Sequence, residues 1–99
     1  MESIQKQLFI IMLYKQKKAA ALRYKQGLDN APKVTAKGRG KLAEKIIEMA
    51  RQNGIPVKED PDLVEVLSKL DLMEEIPPEL YMVVAELLAY IYSLNNQKD

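Results

Sequence analysis

The pattern that most constrains the fold of this chain lies in residues 33–57. A β-like stretch at residues 33–37 is followed by Gly38-Arg-Gly40, which is expected to end the strand, and then by an amphipathic helical repeat. Asn53-Gly54 is expected to stop that helix, and residues 55–57 have the composition of a short strand. Strand, helix and strand in this order predict a βαβ unit with parallel strands and a right-handed crossover.

The rest of the chain adds two strands and two helices to this unit. A short apolar run and an alternating stretch predict strands at residues 8–14 and 19–25. Helices are predicted at residues 61–70 and 78–94, each with proline at its start, and Asp60 is the expected N-cap of the first.

These elements predict an α/β fold class. The 99 residues fit one small domain, residues 1–99, with a mixed sheet of about four strands flanked by helices. Residues 1–7 and 95–99 are expected to be flexible ends.

Apolar side chains at helical spacing predict the inward faces of the three helices. They are Leu42, Ala43, Ile46, Ile47 and Ala50 in the first helix, Leu63, Val66, Leu67 and Leu70 in the second, and Leu80, Val83, Val84, Leu87, Leu88 and Ile91 in the last.

Two residue types that carry much enzyme chemistry are absent, because the chain has no histidine and no cysteine. Without them we expect no disulfide, no thiolate nucleophile, no imidazole base and no metal site. No apolar run approaches the roughly 20 residues that a membrane-spanning helix needs. We therefore expect no cofactor, no enzymatic activity and no membrane span, and we interpret residues 8–14 as a buried strand of a cytoplasmic protein rather than a secretory signal.

Charge is divided sharply along the chain. Residues 1–58 contain 13 Lys and Arg against 4 Asp and Glu, whereas residues 59–99 contain 2 against 10. The asymmetry has three interpretations: two solvated faces of opposite sign, two halves that complement each other in the fold, or a face for nucleic acid or for a partner. Few aromatic residues accompany the basic ones, which disfavours binding to nucleic acid.

The basic residues after the third strand do not form a nucleotide site. Gly38-Arg-Gly-Lys41 resembles part of a phosphate loop, but Thr35 stands where that motif has glycine and Leu42 where it has serine or threonine. Lys37, Arg39 and Lys41 are instead candidates for contact with a protein partner.

The last predicted helix is apolar on nearly every side. Outside its inward stripe it carries apolar or aromatic side chains, namely Tyr81, Met82, Ala85, Ala89, Tyr90 and Tyr92. Such a helix either has a wide core face or contacts another chain. Under the second interpretation, the candidate binding residues are Tyr81, Met82, Ala85, Ala89 and Tyr92.

Several blocks of sequence resemble one protein family. They begin with Ala-Leu-Arg-Tyr at residues 21–24, Ala-Pro-Lys-Val at residues 31–34 and Ala-Lys-Gly at residues 36–38, and the similarity extends over residues 14–94. Together they resemble the cytoplasmic C-terminal domain of the flagellar and type III secretion export-switch proteins, FlhB and its injectisome counterparts. The resemblance implies a small mixed sheet flanked by helices, and protein partners.

The sequence departs from this family at one functional motif. Family members carry Asn-Pro-Thr-His before the second strand, and the asparagine amide attacks its own carbonyl to cut the Asn–Pro bond. The resemblance places that motif on Tyr14, Lys15, Gln16 and Lys17, none of which matches. Because Tyr14 has no amide, this cleavage is not expected. Full-length members also have four transmembrane helices upstream, which have no counterpart in this sequence.

The resemblance and the departure together imply a stand-alone, non-cleaving paralogue of the export-switch domain. Its expected partners are export-apparatus proteins or exported flagellar or secretion substrates. Its expected location is the cytoplasm, with recruitment to the membrane-embedded export gate as an option. The alternative hypothesis is a small nucleic-acid-binding regulator that uses the basic N-terminal half.

Overall fold

The computed structural model describes residues 8–15, 18–25 and 27–96, without the side chains of residues 8–15, 92 and 94–96. The elements are β1 (Leu8–Lys15), β2 (Lys18–Lys25), β3 (Lys33–Arg39), α1 (Lys41–Gln52), β4 (Val57–Glu59), α2 (Pro61–Leu67), a 3₁₀ turn (Pro78–Leu80) and α3 (Tyr81–Asn96). None of the helices in these ranges has the length and apolar character that crossing a membrane requires.

The strands form one mixed sheet in the order β3-β2-β1-β4. β2 is antiparallel to both β1 and β3, whereas β4 pairs with β1 in parallel. Since two antiparallel steps separate β3 from β1, β3 and β4 run in the same direction. The strands of the predicted βαβ unit are therefore parallel, but two other strands lie between them. The α/β class is confirmed.

Helices cover both faces of β2. On one face α1 contributes Ala43 and Ala50 to a cluster with Ala19 and Ala21. On the other face α2 and α3 share a larger cluster with Ala20, Leu22, Val34 and Ile76. The alternation along β2 separates these two sets, as the sequence pattern predicts.

The junction between β3 and α1 corrects two predictions. β3 continues through Gly38 to Arg39 instead of ending at residue 37, because Gly38 still pairs with Ala19 of β2. The strand ends only at Gly40, whose φ of 58° lies in the left-handed region. Leu42 is 52% exposed rather than in the core, and it lies over Gly38, where an added Cβ atom would meet Leu42 Cγ at 2.6 Å.

β4 begins later than predicted, at Val57 rather than at residue 55. The Ile55 N–H donates to the Ala50 carbonyl at 2.9 Å, at the end of α1, so it serves the helix instead of a strand ladder. Pro56 has no N–H to donate. The ladder therefore starts at Val57, which pairs with Met12 of β1.

α2 starts as predicted but ends earlier, at Leu67 instead of residue 70. The Asp60 carboxylate accepts the Leu63 N–H at 3.1 Å, which confirms the N-cap. Val66 was predicted to face inward, but it is 41% exposed, while Val64 is fully buried. Successive residues of an α-helix are about 100° apart around its axis, so Val66 lies about 200° from Val64. A helix that buries Val64 therefore turns Val66 outward.

Leu42 approaches Gly38 so closely that any larger residue at position 38 of β3 would collide with it. We expect Gly38→Ala to lower the free energy of unfolding by roughly 1–3 kcal/mol, the usual cost of an extra methyl group in a packed site. In a Leu42→Ala background the same substitution should cost clearly less, because the two nearest atoms that the new Cβ meets, Leu42 Cγ and Cδ2, are gone. Urea unfolding of the four proteins measures both values, and equal costs in the two backgrounds would contradict the contact.

Candidate protein-binding surface

α3 is held to the core by one narrow stripe of side chains. Val84, Leu87 and Ile91 are 1%, 9% and 7% exposed, and they recur at the spacing of one helical face. Leu80 and Leu88 pack against the same cluster while remaining half-buried. Val83 was predicted to be inward but is exposed, so the buried stripe is narrower than the sequence pattern suggested.

The side of α3 next to this stripe is apolar and exposed. Tyr81 is 46% and Met82 is 74% exposed, and Ala85 and Ala89 are also exposed. We call these four residues the α3 flank; the side chain of Tyr92 lies outside the described residues. The sequence left open whether this side belonged to the core, and the exposure of these four residues excludes that. Contiguous apolar surface of this kind commonly marks an interaction site.

Part of the α3 flank borders an apolar groove of about 220 Å³, which we call the α3 groove. It lies between α3 and the chain that leads from β2 into β3. Its lining residues are Tyr24, Asn30, Ala31, Pro32, Ile76, Tyr81, Val84, Ala85 and Leu88. None of these residues is a carboxylate or a lysine, so the groove suits apolar side chains rather than charged ones.

Backbone hydrogen bonds hold the wall of the α3 groove in place. The Ile76 N–H donates to the Pro32 carbonyl at 2.9 Å, and the Val34 N–H donates to the Glu74 carbonyl at 3.1 Å. The segment that contains Glu74 and Ile76 therefore runs along the first residues of β3. A wall fixed in this way is preorganised, which lowers the entropic cost of binding.

Asp29 stabilises the turn that leads to this wall. Its carboxylate accepts the Lys25 N–H at 2.8 Å and lies 3.9 Å from Arg23 Nε and 3.8 Å from Lys33 Nζ. The Asp29 side chain is 8% exposed, so these two weak ion pairs are partly shielded from water. The turn between β2 and β3 is thus tied to both strands by one side chain.

Most of the groove wall was missed by the sequence reasoning. Tyr81 and Ala85 were candidates, but Asn30, Ala31 and Pro32 were not. Tyr24, which was also not among the candidates, is half-buried with one side on the groove. The available signal was Ala31-Pro32, an apolar pair that follows directly on polar turn residues.

The basic candidates lie away from the α3 groove, at the other end of β3. Lys37 is engaged within the fold, since its ammonium donates to the carbonyls of Ser68 at 3.2 Å and Leu70 at 2.5 Å. Arg39 and Lys41 are exposed. Six residues of strand separate the two ends of β3 by about 20 Å, so the apolar and basic candidates form two surfaces.

The residues predicted to stand at the family's cleavage motif lie at the junction of β1 and β2. Tyr14 and Lys15 are the last residues of β1, and they pair with Ala19 and Lys18 of β2. Gln16 and Lys17, the other two residues predicted at this position, lie outside the described residues.

The sequence matches the FlhB HrpN YscU SpaS family over residues 15–91. The chain belongs to this family. It is 43% identical over 79 residues to YlqH of Bacillus subtilis strain 168, which covers 80% of this chain and 85% of YlqH. It is also 43% identical over 74 residues to the flagellar biosynthetic protein FlhB of Aquifex aeolicus, but spans only 21% of that protein.

Solved structures of family domains have the same fold. The cytoplasmic domain of FlhB from Shewanella putrefaciens superposes with a TM-score of 0.80 at 32% identity, covering 86% of this chain and 67% of that one. A mutated EscU C-terminal domain gives a TM-score of 0.78 at 27% identity. The match covers 89% of this chain and 82% of the EscU domain. The predicted resemblance to export-switch C-terminal domains is confirmed.

Because one side of α3 is exposed and the other is buried, substitutions on the two sides should change stability by different amounts. We expect Met82→Glu to change the free energy of unfolding by no more than about 0.5 kcal/mol, because the side chain is solvated. Leu87→Ala should cost roughly 2–5 kcal/mol, because it leaves a cavity in the core. Thermal melts followed by circular dichroism compare the two, and equal destabilisation would show that Met82 belongs to the core.

Proposed function

We propose that this chain is a non-enzymatic, protein-binding component or regulator of a flagellar or related type III export apparatus. The observation that carries the proposal is the α3 groove, an apolar and preorganised site on a domain of the export-switch family. Its ligand would be a short apolar segment of an exported protein or of an apparatus protein. The site of action would be the cytoplasmic side of the export gate.

The size and lining of the groove support a peptide ligand. About 220 Å³ accommodates one or two apolar side chains, and the aromatic rings of Tyr24 and Tyr81 provide flat contact area at low entropic cost. Asn30 offers amide and carbonyl groups at the rim for the backbone of an extended segment. Affinity for such a segment would come mainly from burial of its apolar side chains.

We further propose that the chain does not cut itself at the β1–β2 junction. The family reaction needs an asparagine amide beside a proline, and Tyr14-Lys15 provides neither. The chain would therefore act as one continuous domain that resembles the switch but lacks its cleavage step.

Binding of nucleic acid by the basic half is the weaker alternative. Several of the cations needed for phosphate contacts have partners within the fold: Lys18 pairs with Glu65 at 2.8 Å, Lys37 with backbone carbonyls, and Lys33 with Asp29. If these lysines bound the phosphates of a nucleic acid, they would lose their present partners within the fold.

The first test concerns the intact chain. Incubated for days at neutral pH, the purified protein should keep one mass, because no residue at positions 14 and 15 can perform the asparagine reaction. Intact-mass spectrometry measures this directly. Two fragments separated near residues 14 and 15 would refute the non-cleaving assignment.

The second test concerns the α3 groove. Export-apparatus proteins and exported proteins of the same source, purified one at a time, should include at least one that binds this chain. Ala85→Glu should weaken that binding about tenfold or more, because a buried carboxylate would face the apolar ligand without a partner. Isothermal titration calorimetry provides the measurement.

The matched control is Ala89→Glu, the same substitution one helical turn further along and outside the groove lining. It should leave the affinity within about twofold, as expected for a solvated change at an interface rim. If both variants bind as the unchanged protein does, the α3 groove is not the binding site. If both lose binding equally, the contact covers the whole α3 flank rather than the groove.

A further inference from the structure

Three cations lie side by side at the end of the sheet opposite the α3 groove. Lys18 of β2 is in register with Arg39 of β3, and Lys37 lies two residues before Arg39 on the same face of that strand. Directly opposed residues of neighbouring strands bring their side chains close together, where like charges are destabilising. A cluster of this kind needs negative charge nearby.

Two of the three cations already have partners on α2 or just after it. Lys18 Nζ donates to both carboxylate oxygens of Glu65, at 3.0 and 2.8 Å. Lys37 Nζ donates to the Ser68 and Leu70 carbonyls, where the C-terminal end of α2 is electronegative. These contacts hold both ammonium groups in place.

Arg39 differs from its neighbours. Among the described residues its guanidinium has no ion pair or hydrogen bond, and its side chain is exposed. It borders a hollow of about 280 Å³, whose other lining residues are Lys18, Lys37, Gly38 and Ser68. The hollow thus combines two positioned ammonium groups and one unpartnered guanidinium.

We propose that this hollow is a carboxylate-binding site for an aspartate or glutamate side chain in an acidic segment of a protein partner. Arg39 would hold the carboxylate through its planar pair of N–H donors, and Lys18 and Lys37 would add positive potential from fixed positions. The site is separate from the α3 groove and does not depend on binding there.

The charges around the hollow favour a carboxylate over a phosphate group. Glu65 neutralises one of the three cations, and the carbonyl end of α2 reduces the potential further. Within the described part of the chain, Arg39 is then the one cation of the three without such a contact, and its planar pair of N–H donors matches a single carboxylate. Nucleic acid would in addition need an aromatic side chain for base stacking, and the hollow has none among its lining residues.

The experiment uses a fluorescein-labelled peptide of four glutamates flanked by glycines, together with the same peptide containing glutamines. Anisotropy titration of the full chain should show binding of the glutamate peptide alone. Arg39→Gln should weaken it about tenfold, as for the loss of one charge-assisted hydrogen-bond pair. Backbone amide signals of Gly38, Arg39 and Ser68 should shift in NMR spectra, while those of Ala31 and Ala85 in the α3 groove stay unchanged.

Arg51→Gln is the matched control, because Arg51 is also exposed and lies about 15 Å along α1 from its first residue. It should change the affinity less than twofold, and both variants should melt as the unchanged chain does. If Arg39→Gln and Arg51→Gln weaken peptide binding equally, the peptide is attracted by the general positive charge of the surface, and the proposal is overturned. Stronger binding of inorganic phosphate, or of single-stranded DNA of equal charge, would overturn the assignment to carboxylates.

Discussion

The burial of both faces of β2 by small side chains is the constraint on which the rest of this structure depends. Ala19 and Ala20 are 1% and 0% exposed although they point in opposite directions. Because neither side chain extends beyond Cβ, α1 can approach one face while α2 and α3 share the other. The ends of the same strand then carry the functional candidates: Lys18 borders the cationic hollow and Tyr24 borders the α3 groove.

The charge division along the sequence is partly resolved by contacts between its two halves. Lys18 and Lys37 belong to the basic half, and both are bound by α2 and the residues after it, which belong to the acidic half. Of the three interpretations left open by the sequence, complementary halves account for Lys18, which pairs with Glu65, whereas Lys37 is held by backbone carbonyls. Arg39 and Lys41 stay exposed, which leaves positive charge on the surface for a partner.

Local sequence patterns predicted much of the fold correctly. The predictions that failed concern features that depend on tertiary contacts. The N-cap at Asp60 and the alternation along β2 depend on local geometry, so the sequence was sufficient for both. The continuation of β3 through Gly38 depends on the pairing of Gly38 with Ala19 of β2, which the local propensity of residues 38–40 does not express. The α3 groove needs residues 30–32 and α3 to meet across about 50 positions of sequence, so only its α3 side was predictable.

An uncut β1–β2 junction, as proposed above, has a physical consequence for the sheet. β1 pairs with β2 along its whole length and with β4 at its end, so it joins β4 to the rest of the sheet. In a chain that is cut at this junction, the pairing of β1 with β2 is an association of two fragments. In an uncut chain the same pairing is intramolecular, and closing so short a connection costs little entropy. Under that proposal, Tyr14 and Lys15 favour a permanent sheet over one that can be divided.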